Sequence, residues 1–451
     1  MFRIYSLLLG LAALFALPWF LIQGLRHGKY LASLRARLGG GDEIPRSTGD
    51  AIWLHAVSVG ELLACQRLVN EIKARFPARP LFVSATTETG HRAARDRMAS
   101  GALHADAVFF CPFDFRWTVR RVLGRVCPAA LVVAETELWP NLFREAARRG
   151  TRVVVVNARV SDRSFPRYRL FRFFLRRVLR HGSALLAQSD EDARRLREMG
   201  AEPACIRVLG NLKYDQQSPA PLPAWLDEAV AAWAAPGLLM AGSTASGEED
   251  FVLDAYTLVR AALPAVRCLI APRRPERFNQ VARMAEARGY RVARRSQLSP
   301  DAARPLADAD VLLLDTVGEM AAFYRHATVA FVGGSLVPHG GQNVLEAALF
   351  ARPIVVGPHM HNFREITAAL LRAGGLRQVQ SGDELGGVLD ELFRQPARAA
   401  ALGESARRLL AANRGSTART AEAIELLLVE QQDRGAEEHP AVRVQAGERV
   451  R

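Results

Sequence analysis

The sequence predicts an α/β protein made of two doubly wound domains with an N-terminal membrane helix. Three observations lead there. The chain has 451 residues, and single hydrophobic cores stop growing beyond roughly 250–300 residues. Short apolar runs of β character alternate with helical stretches in two series, separated at residues 211–223 by a break (NLKYDQQSPAPLP) that carries three prolines. Such alternation makes a parallel sheet covered on both faces. Finally, residues 4–22 are almost wholly apolar and uncharged.

At about 1.5 Å per residue, that run just spans a hydrocarbon core of about 30 Å. Arg26, His27, Lys29, Arg35 and Arg37 follow it, a basic flank that opposes translocation and assigns the rest of the chain to the cytoplasm. No clean small-x-small cleavage site follows, so an uncleaved single-pass anchor over residues 1–25 is preferred to a signal peptide. Pro18 could kink the helix, which leaves shallow insertion open. Residues 26–49 read as a basic juxtamembrane segment and a linker ending in GGGDEIPRSTGD.

In the first domain, 50–215, strands are expected at 51–56, 81–85, 107–110, 130–134, 152–156, 184–187 and 206–209. In the second, 216–430, they are expected at 238–241, 267–271, 311–314, 329–332 and 354–356. From about residue 382 the chain reads as helical and Ala-rich, and 431–451 as a polar disordered tail. Ligands of doubly wound sheets sit beyond the carboxyl ends of the strands, so residues just after strands are the candidates for chemistry.

The five cysteines, Cys65, Cys111, Cys127, Cys205 and Cys268, are scattered without CxxC spacing, which disfavours a disulfide framework or a zinc site and fits a reducing compartment. A net charge of +14, from 60 Lys+Arg against 46 Asp+Glu, suits nucleic acid, an anionic membrane or a phosphorylated substrate. An Arg-rich proteome would give the same excess, so the charge alone does not choose.

Five motifs carry candidate chemistry. In WLHAVSVGE, Glu61 opens a helix after a strand. It is either a plain helix-start acid, with its pKa kept low by the helix N-terminus, or a general base. SATTETG, 84–90, could bind an anion or sugar hydroxyls, although Ser/Thr clusters also cap helices. ETELWPN, 135–141, puts Glu135 and Glu137 at a strand exit, where helix capping explains one at most. The stretch 163–180, RSFPRYRLFRFFLRRVLR, interleaves arginines with aromatics. It reads as a basic amphipathic helix at a membrane interface, with nucleic-acid binding and a solvated face of a buried helix as rivals. The Gly-rich GGSLVPHGGQN, 333–343, precedes a helix bearing Glu346; its backbone N–H groups could approach a phosphate, and Glu346 could accept from ribose hydroxyls. It is neither GxGxxG nor a P-loop, which disfavours a dehydrogenase or an ATPase. Arg273 in APRRPER could hold a phosphate, and DTVGEM could offer backbone groups to a base or ribose.

With these residues in view, the chain resembles the 3-deoxy-D-manno-octulosonic acid (Kdo) transferases of lipopolysaccharide assembly. HAVSVGE, TTETG, ETELWPN, NARVSDRSFPRY, GNLKYD, PRRPERF, DTVGEM and the GG…NVLE loop carry the resemblance over residues 53–365 in the expected order. It implies a GT-B type glycosyltransferase, family 30, with two Rossmann-like domains facing across a cleft. CMP-Kdo is then the donor and the lipid A precursor lipid IV(A) the acceptor, at the inner membrane of a Gram-negative cell. Carried over by motif, Glu61 is the catalytic base, and Glu135 and Lys213 stabilise the transition state. CMP contacts map onto Pro272, Arg273, Gly318, Glu319, Met320, Asn343, Val344, Leu345 and Glu346. Where the family often reads GHNPLEPAA and RHPER, this chain has GQNVLEAAL and RRPER, so a loop proline and a histidine are replaced.

The resulting expectation is an inverting displacement. Glu61 deprotonates a sugar hydroxyl of the acceptor and CMP leaves from the opposite face of Kdo, with Glu61 facing the nucleotide cradle near 333–346. Arg163, Arg167, Arg172 and Arg176 would dock acceptor and membrane. No metal, cofactor or nucleic-acid partner is expected. The alternatives are another GT-B lipid glycosyltransferase with a different nucleotide sugar, a sugar-nucleotide epimerase, or a non-catalytic membrane scaffold or nucleic-acid binder.

Overall fold

The computed structural model describes residues 1–27, 31–216, 218–235, 237–300 and 304–438. The chain divides into two compact units, Met1–Asp215 with Arg414–Arg451, and Gln216–Asn413.

The first unit begins with α1 (Phe2–His27) and α2 (Leu31–Arg37). There follow β1 (Ala51–Ala56), α3 (Val59–Arg75), β2 (Leu81–Ala85), α4 (Glu88–Ala99), β3 (Ala107–Phe110) and α5 (Arg116–Val126). The second half runs β4 (Pro128–Ala134), α6 (Pro140–Ala147), β5 (Arg152–Ala158), α7 (Phe165–Leu170), α8 (Arg172–Leu179), β6 (Ala184–Ala187), α9 (Asp190–Glu198) and β7 (Ile206–Val208). The strands form one parallel sheet in the order β3-β2-β1-β4-β5-β6-β7. Strand order reverses between β1 and β4, the switch point at which doubly wound sheets bind ligands. Side chains alternate between the faces with period two. Trp53, Leu131 and Val133 enter one core, whereas Ile52, Leu54, Ala130 and Val132 enter the other.

The second unit holds α10 (Ala224–Ala234), β8 (Leu238–Thr244), α11 (Glu248–Ala262), β9 (Arg267–Pro272), α12 (Phe278–Ala287) and β10 (Val292–Arg294). It continues with α13 (Arg304–Ala307), β11 (Val311–Leu313), α14 (Met320–Phe323), β12 (Val329–Val332), α15 (Leu345–Leu349) and β13 (Ile354–Val356). Last come α16 (Arg364–Arg372), β14 (Arg377–Gln378), α17 (Gly382–Arg394) and α18 (Pro396–Ala412). Its parallel sheet has the order β10-β11-β9-β8-β12-β13-β14, with the reversal between β8 and β12. All twelve strands expected from the sequence are present; the other two, β10 and β14, are three and two residues long and contain arginines.

Five expectations change. Residues 414–430 do not pack with the second unit. The chain returns at Arg414, and α19 (Ser416–Glu438) lays Ala421, Ile424 and Leu428 into the core beneath β1 and β5. Residues 431–438, read as tail, continue that helix; 439–451 lie outside the described residues. Segment 26–49 is more than a linker, because Ile44 joins the core and the buried Arg37 lies over the Phe110 ring at 4.6 Å and donates to the Thr86 carbonyl at 2.5 Å.

The single-pass anchor is also not supported: no helix among the described residues is long and apolar enough to cross a membrane. The first turns of α1 instead lie against α6 and α8. Tyr5 donates to Asp114 Oδ2 at 3.0 Å, Asn141 donates to Ser6 Oγ at 3.1 Å, and Phe2 and Tyr5 pack on the Phe174 ring. Ile4, Leu7, Leu8, Leu11, Leu14 and Phe15 stay exposed. The basic stretch 163–180 forms two short helices that break at Phe171, not one.

Candidate active site

In the first unit the candidate residues gather at the switch point. Between β1 and α3 the chain turns through residues 57–61. Ser58 caps α3, its Oγ accepting from Glu61 N at 3.4 Å and donating to Glu61 Oε1 at 3.0 Å, while Val57 N donates to Oε2 at 2.8 Å. This is the Ser-x-x-Glu capping arrangement, so the helix-start role is filled. The carboxyl is nevertheless pushed up to about 7 by burial, with the charges of Glu135 and Glu137 adding to the effect and the Val57 and Ser58 bonds opposing it. The low value expected at a helix N-terminus is thus overturned, because desolvation outweighs the helix dipole.

Glu135 leaves β4 with φ +54, a left-handed conformation costing an L-residue roughly 1–2 kcal/mol. Its N–H still reaches the Val156 carbonyl at 2.9 Å, so the side chain is turned out of the strand without losing the ladder. Burial and the Glu135 charge also raise the Glu137 carboxyl. Lys213 sits in a one-turn 3-10 helix, Leu212–Tyr214. A chain of side-chain amides holds that turn. Asn157 Oδ1 accepts Leu212 N at 3.0 Å, Gln188 Nε2 donates to the Asn157 carbonyl at 2.9 Å, Asn211 Nδ2 donates to Gln188 Oε1 at 2.8 Å, and Asn211 Oδ1 accepts Lys213 N at 2.9 Å.

These three groups converge. Cys65 lies one turn beyond Glu61 on the same side of α3, fully buried. Burial raises its thiol, Glu135 and Glu61 raise it further, and Lys213 lowers it. Two glutamates and a lysine from three separate sequence motifs therefore lie near one sulfur.

The TTETG loop braces this turn. Thr87 caps α4 by accepting Gly90 N at 3.1 Å, and its N and Oγ1 both donate to the Val57 carbonyl at 3.0 and 3.1 Å. The helix-capping reading is the one observed. Sequence reasoning passed over His55, which is fully buried on β1 with its Nδ1 2.9 Å from Ser84 Oγ, while Trp53 Nε1 donates to the same oxygen at 2.7 Å. Burial pushes its imidazole down to about 4. A histidine inside an apolar strand was the available signal.

In the second unit, Pro272 is buried at the end of β9 and Arg273 extends to the surface, its N–H on the Thr244 carbonyl at 3.0 Å. Gly318 takes φ +98. Glu319 is committed to Arg295 at 2.7 Å and Thr316 at 2.5 Å, and Met320 Sδ accepts from Ser243 Oγ at 3.3 Å. Val344 and Leu345 are buried in the core, leaving only backbone for a ligand. Asn343 Nδ2 donates to Glu346 Oε1 at 3.1 Å; burial raises the Glu346 carboxyl against that bond and the Arg273 charge. The Gly-rich loop departs most from expectation. Its N–H groups at Gly334, Ser335 and Leu336 do not face an open site but bind the buried Glu248 carboxylate. Arg163, Arg167, Arg172 and Arg176 are all exposed on α7, α8 and the turn before them.

The sequence matches known proteins along most of its length. Residues 32–216 fit the family model described as 3-deoxy-D-manno-octulosonic-acid transferase (kdotransferase). The chain is 37% identical over 434 residues to the 3-deoxy-D-manno-octulosonic acid transferase of Bordetella pertussis, covering 94% of this chain and 98% of that one. The chain belongs to the Kdo transferase family. The resemblance read from its motifs is borne out. A second Kdo transferase, from Haemophilus influenzae, is 31% identical over 399 residues, 88% of this chain and 91% of its own. The solved glycosyltransferase from Rickettsia africae ESF-5 aligns over 87% of this Kdo transferase and 99% of its own chain, with TM-score 0.50 and 11% identity, a likeness of fold alone. The α/β fold of GT-B type, with two parallel seven-stranded sheets, is as expected.

Proposed function

We propose that this Kdo transferase moves Kdo from CMP-Kdo onto lipid IV(A), with Glu61 as the base. The observation that carries the proposal is the convergence of Glu61, Glu135 and Lys213 around Cys65, together with a Glu61 carboxyl brought to about 7. An acid poised near the working pH is suited to take a proton in the transition state. In the step as proposed, the acceptor hydroxyl gives its proton to Glu61 and its oxygen bonds to the anomeric carbon of Kdo. The bond from that carbon to the CMP phosphate oxygen breaks on the opposite face, and configuration inverts. Glu135 and Lys213 steady the charge that develops. The second unit takes the nucleotide through Pro272, Arg273, residues 318–320 and the backbone of 343–346. The reaction needs no metal under this proposal, so excess chelator should leave turnover unchanged.

The acceptor is a lipid, which requires the enzyme to meet a bilayer. The exposed apolar segment of α1 neighbours α8 through the Phe2 and Tyr5 contacts with Phe174, and Leu170, Phe171 and Phe173 are exposed beside Arg163, Arg167, Arg172 and Arg176. An exposed apolar helix segment beside arginines and aromatics suits contact with an anionic membrane. This favours lipid over nucleic acid as the partner of the basic surface.

The decisive experiment incubates the protein with freshly made CMP-Kdo and lipid IV(A) and follows the lipid by mass spectrometry. Gain of one or more Kdo masses, lost in Glu61→Gln, is expected. Transfer from a UDP-sugar but not from CMP-Kdo would point instead to another GT-B lipid glycosyltransferase.

A further inference from the structure

The switch point of the second sheet lies between the ends of β8 and β12, where an open α/β sheet takes its ligand. A diphosphate is bound at such places by a nest of successive backbone N–H groups. The nest is present here. Gly334 adopts φ +65, and the N–H groups of Gly334, Ser335 and Leu336 turn toward one point. The point is already taken. Glu248, the first residue of α11 and fully buried, places Oε2 on Gly334 N at 2.6 Å and Ala245 N at 2.8 Å. Its Oε1 accepts Ser335 N at 2.8 Å and Leu336 N at 2.7 Å.

Two bonds to each oxygen saturate a carboxylate. The preceding N–H, of Gly333, is spent on the Gly242 carbonyl at 2.8 Å. Ser335 locks the loop from the other side: its Oγ donates to the Val332 carbonyl at 2.6 Å and accepts Gly357 N at 2.9 Å. A Cβ at Gly333 would fall 2.6 Å from the Ser243 carbonyl oxygen, so the loop has no slack against β8. The adjacent acid, Glu249, is matched by Arg277 at 3.0 Å and Thr244 at 3.0 Å, whereas the bonds to Glu248 come from backbone dipoles.

We infer that Glu248 is a specificity-determining residue: by filling the nest with an internal anion, it makes the donor site take a nucleoside monophosphate and refuse the second phosphate of a nucleoside diphosphate. This rests on the proposal that the second unit binds the donor. A single phosphate is left to Arg273 and the groups around 343–346. A second phosphate would find the N–H groups of residues 333–336 engaged and a fixed negative charge beneath them.

The test is calorimetric titration of the full-length protein with CMP and with CDP at equal ionic strength. CMP binding at least as tightly as CDP is expected. CDP binding more tightly than CMP overturns the inference while leaving the donor reading intact, and binding of neither overturns the donor reading and the inference with it. In Glu248→Gln, the internal negative charge is gone and an amide N–H faces two backbone N–H groups, so the ratio of CDP to CMP affinity should rise about tenfold or more. The control Asp250→Asn, which loses only a surface pair with Arg288, should bind as the wild type does. A folded Glu248→Gln protein with an unchanged ratio of CDP to CMP affinity overturns the inference, and the CMP/CDP comparison needs no variant should Glu248→Gln fail to fold.

Discussion

Turnover should climb with pH through about 7 and lose that dependence when Glu61 is replaced. Burial and the neighbouring acids lift the Glu61 carboxyl from its ordinary 4.5 to about 7, a preference for the protonated form of about 3 kcal/mol at 1.36 kcal/mol per pH unit. A base must be ionised to act. With a midpoint near 7, the active fraction is about one half at pH 7, about one tenth at pH 6 and about one hundredth at pH 5. An unshifted acid would already be almost fully active at pH 6. The assay is kcat/KM for CMP release between pH 5 and 8.5, run with wild type and with Glu61→Gln, which can still accept the Val57 N–H but cannot take a proton. The variant should keep CMP affinity and lose about 10²–10⁴ in turnover. The same group leaves a mark on stability. A carboxyl raised in the folded state binds more protons folded than unfolded between 4.5 and 7, so stability falls as pH rises through that window. The penalty, up to about 3 kcal/mol, is absent below 4.5 and complete above 7, so Glu61→Gln should raise Tm at pH 8 more than at pH 5. A rate profile flat from pH 5 to 8, or a Glu61→Gln enzyme with near-normal turnover, refutes Glu61 as the base.

Five further outcomes follow from the same contacts. Glu135→Gln removes a charge that raises Glu61, so the acid limb of the rate profile should move to lower pH by less than about one unit; an unmoved limb means the two groups do not communicate. The double change Leu8→Asp, Phe15→Asp should weaken flotation with anionic vesicles at any salt. Arg172→Glu with Arg176→Glu should weaken it mainly at low salt, by about 1 kcal/mol for each charge removed, and wild-type flotation in either pair would remove that surface from membrane docking. Asp215→Ala frees the N–H groups of Gly415 and Thr417, bound at 2.6 and 2.5 Å; loss of these charge-assisted bonds should cost about 1–3 kcal/mol and lower Tm by several degrees, and an unchanged Tm would show that the tie to α19 carries no load. Asp114→Asn should loosen α1, read as faster proteolysis near residue 27, while the acid limb of turnover stays near pH 7.

Twelve strands were readable because parallel strands buried on both faces are near-continuous apolar runs, as in the VVVV of β5. The candidate residues were readable for a related reason, since such sheets expose chemistry only where strands end. What escaped was set by tertiary contacts with no local signal. Helix α19 is Ala-rich, like α18 before it, and nothing in its pattern says that Ile424 and Leu428 belong under the first sheet rather than the second. The apolar run at residues 4–22 was long enough for a span on composition. The contacts of Tyr5 and Ser6 with Asp114 and Asn141, more than a hundred residues away, had no local signal. The Gly-rich loop displayed the backbone geometry of an anion site, but its anion is a glutamate 86 residues earlier in the chain.

Three acids of this enzyme show why burial of a carboxyl alone does not find a base. Asp114 is also pushed up to about 7 by burial, although Asn141 N, Leu142 N and Tyr5 Oη all donate to it. It is enclosed between α1 and α6, so the proton it holds has no route to a substrate, and its work is to fasten a helix. Glu248 is buried as deeply but meets four N–H groups, one for each lone pair, and its work is to hold a loop. Glu61 accepts two backbone N–H and hydroxyl donors, faces two like charges and remains only partly buried. A carboxylate short of donors, crowded by acids and still within reach of solvent is costly to keep ionised and free to shed that cost by taking a proton. Those are the conditions a base requires, and of these three acids Glu61 alone meets them together.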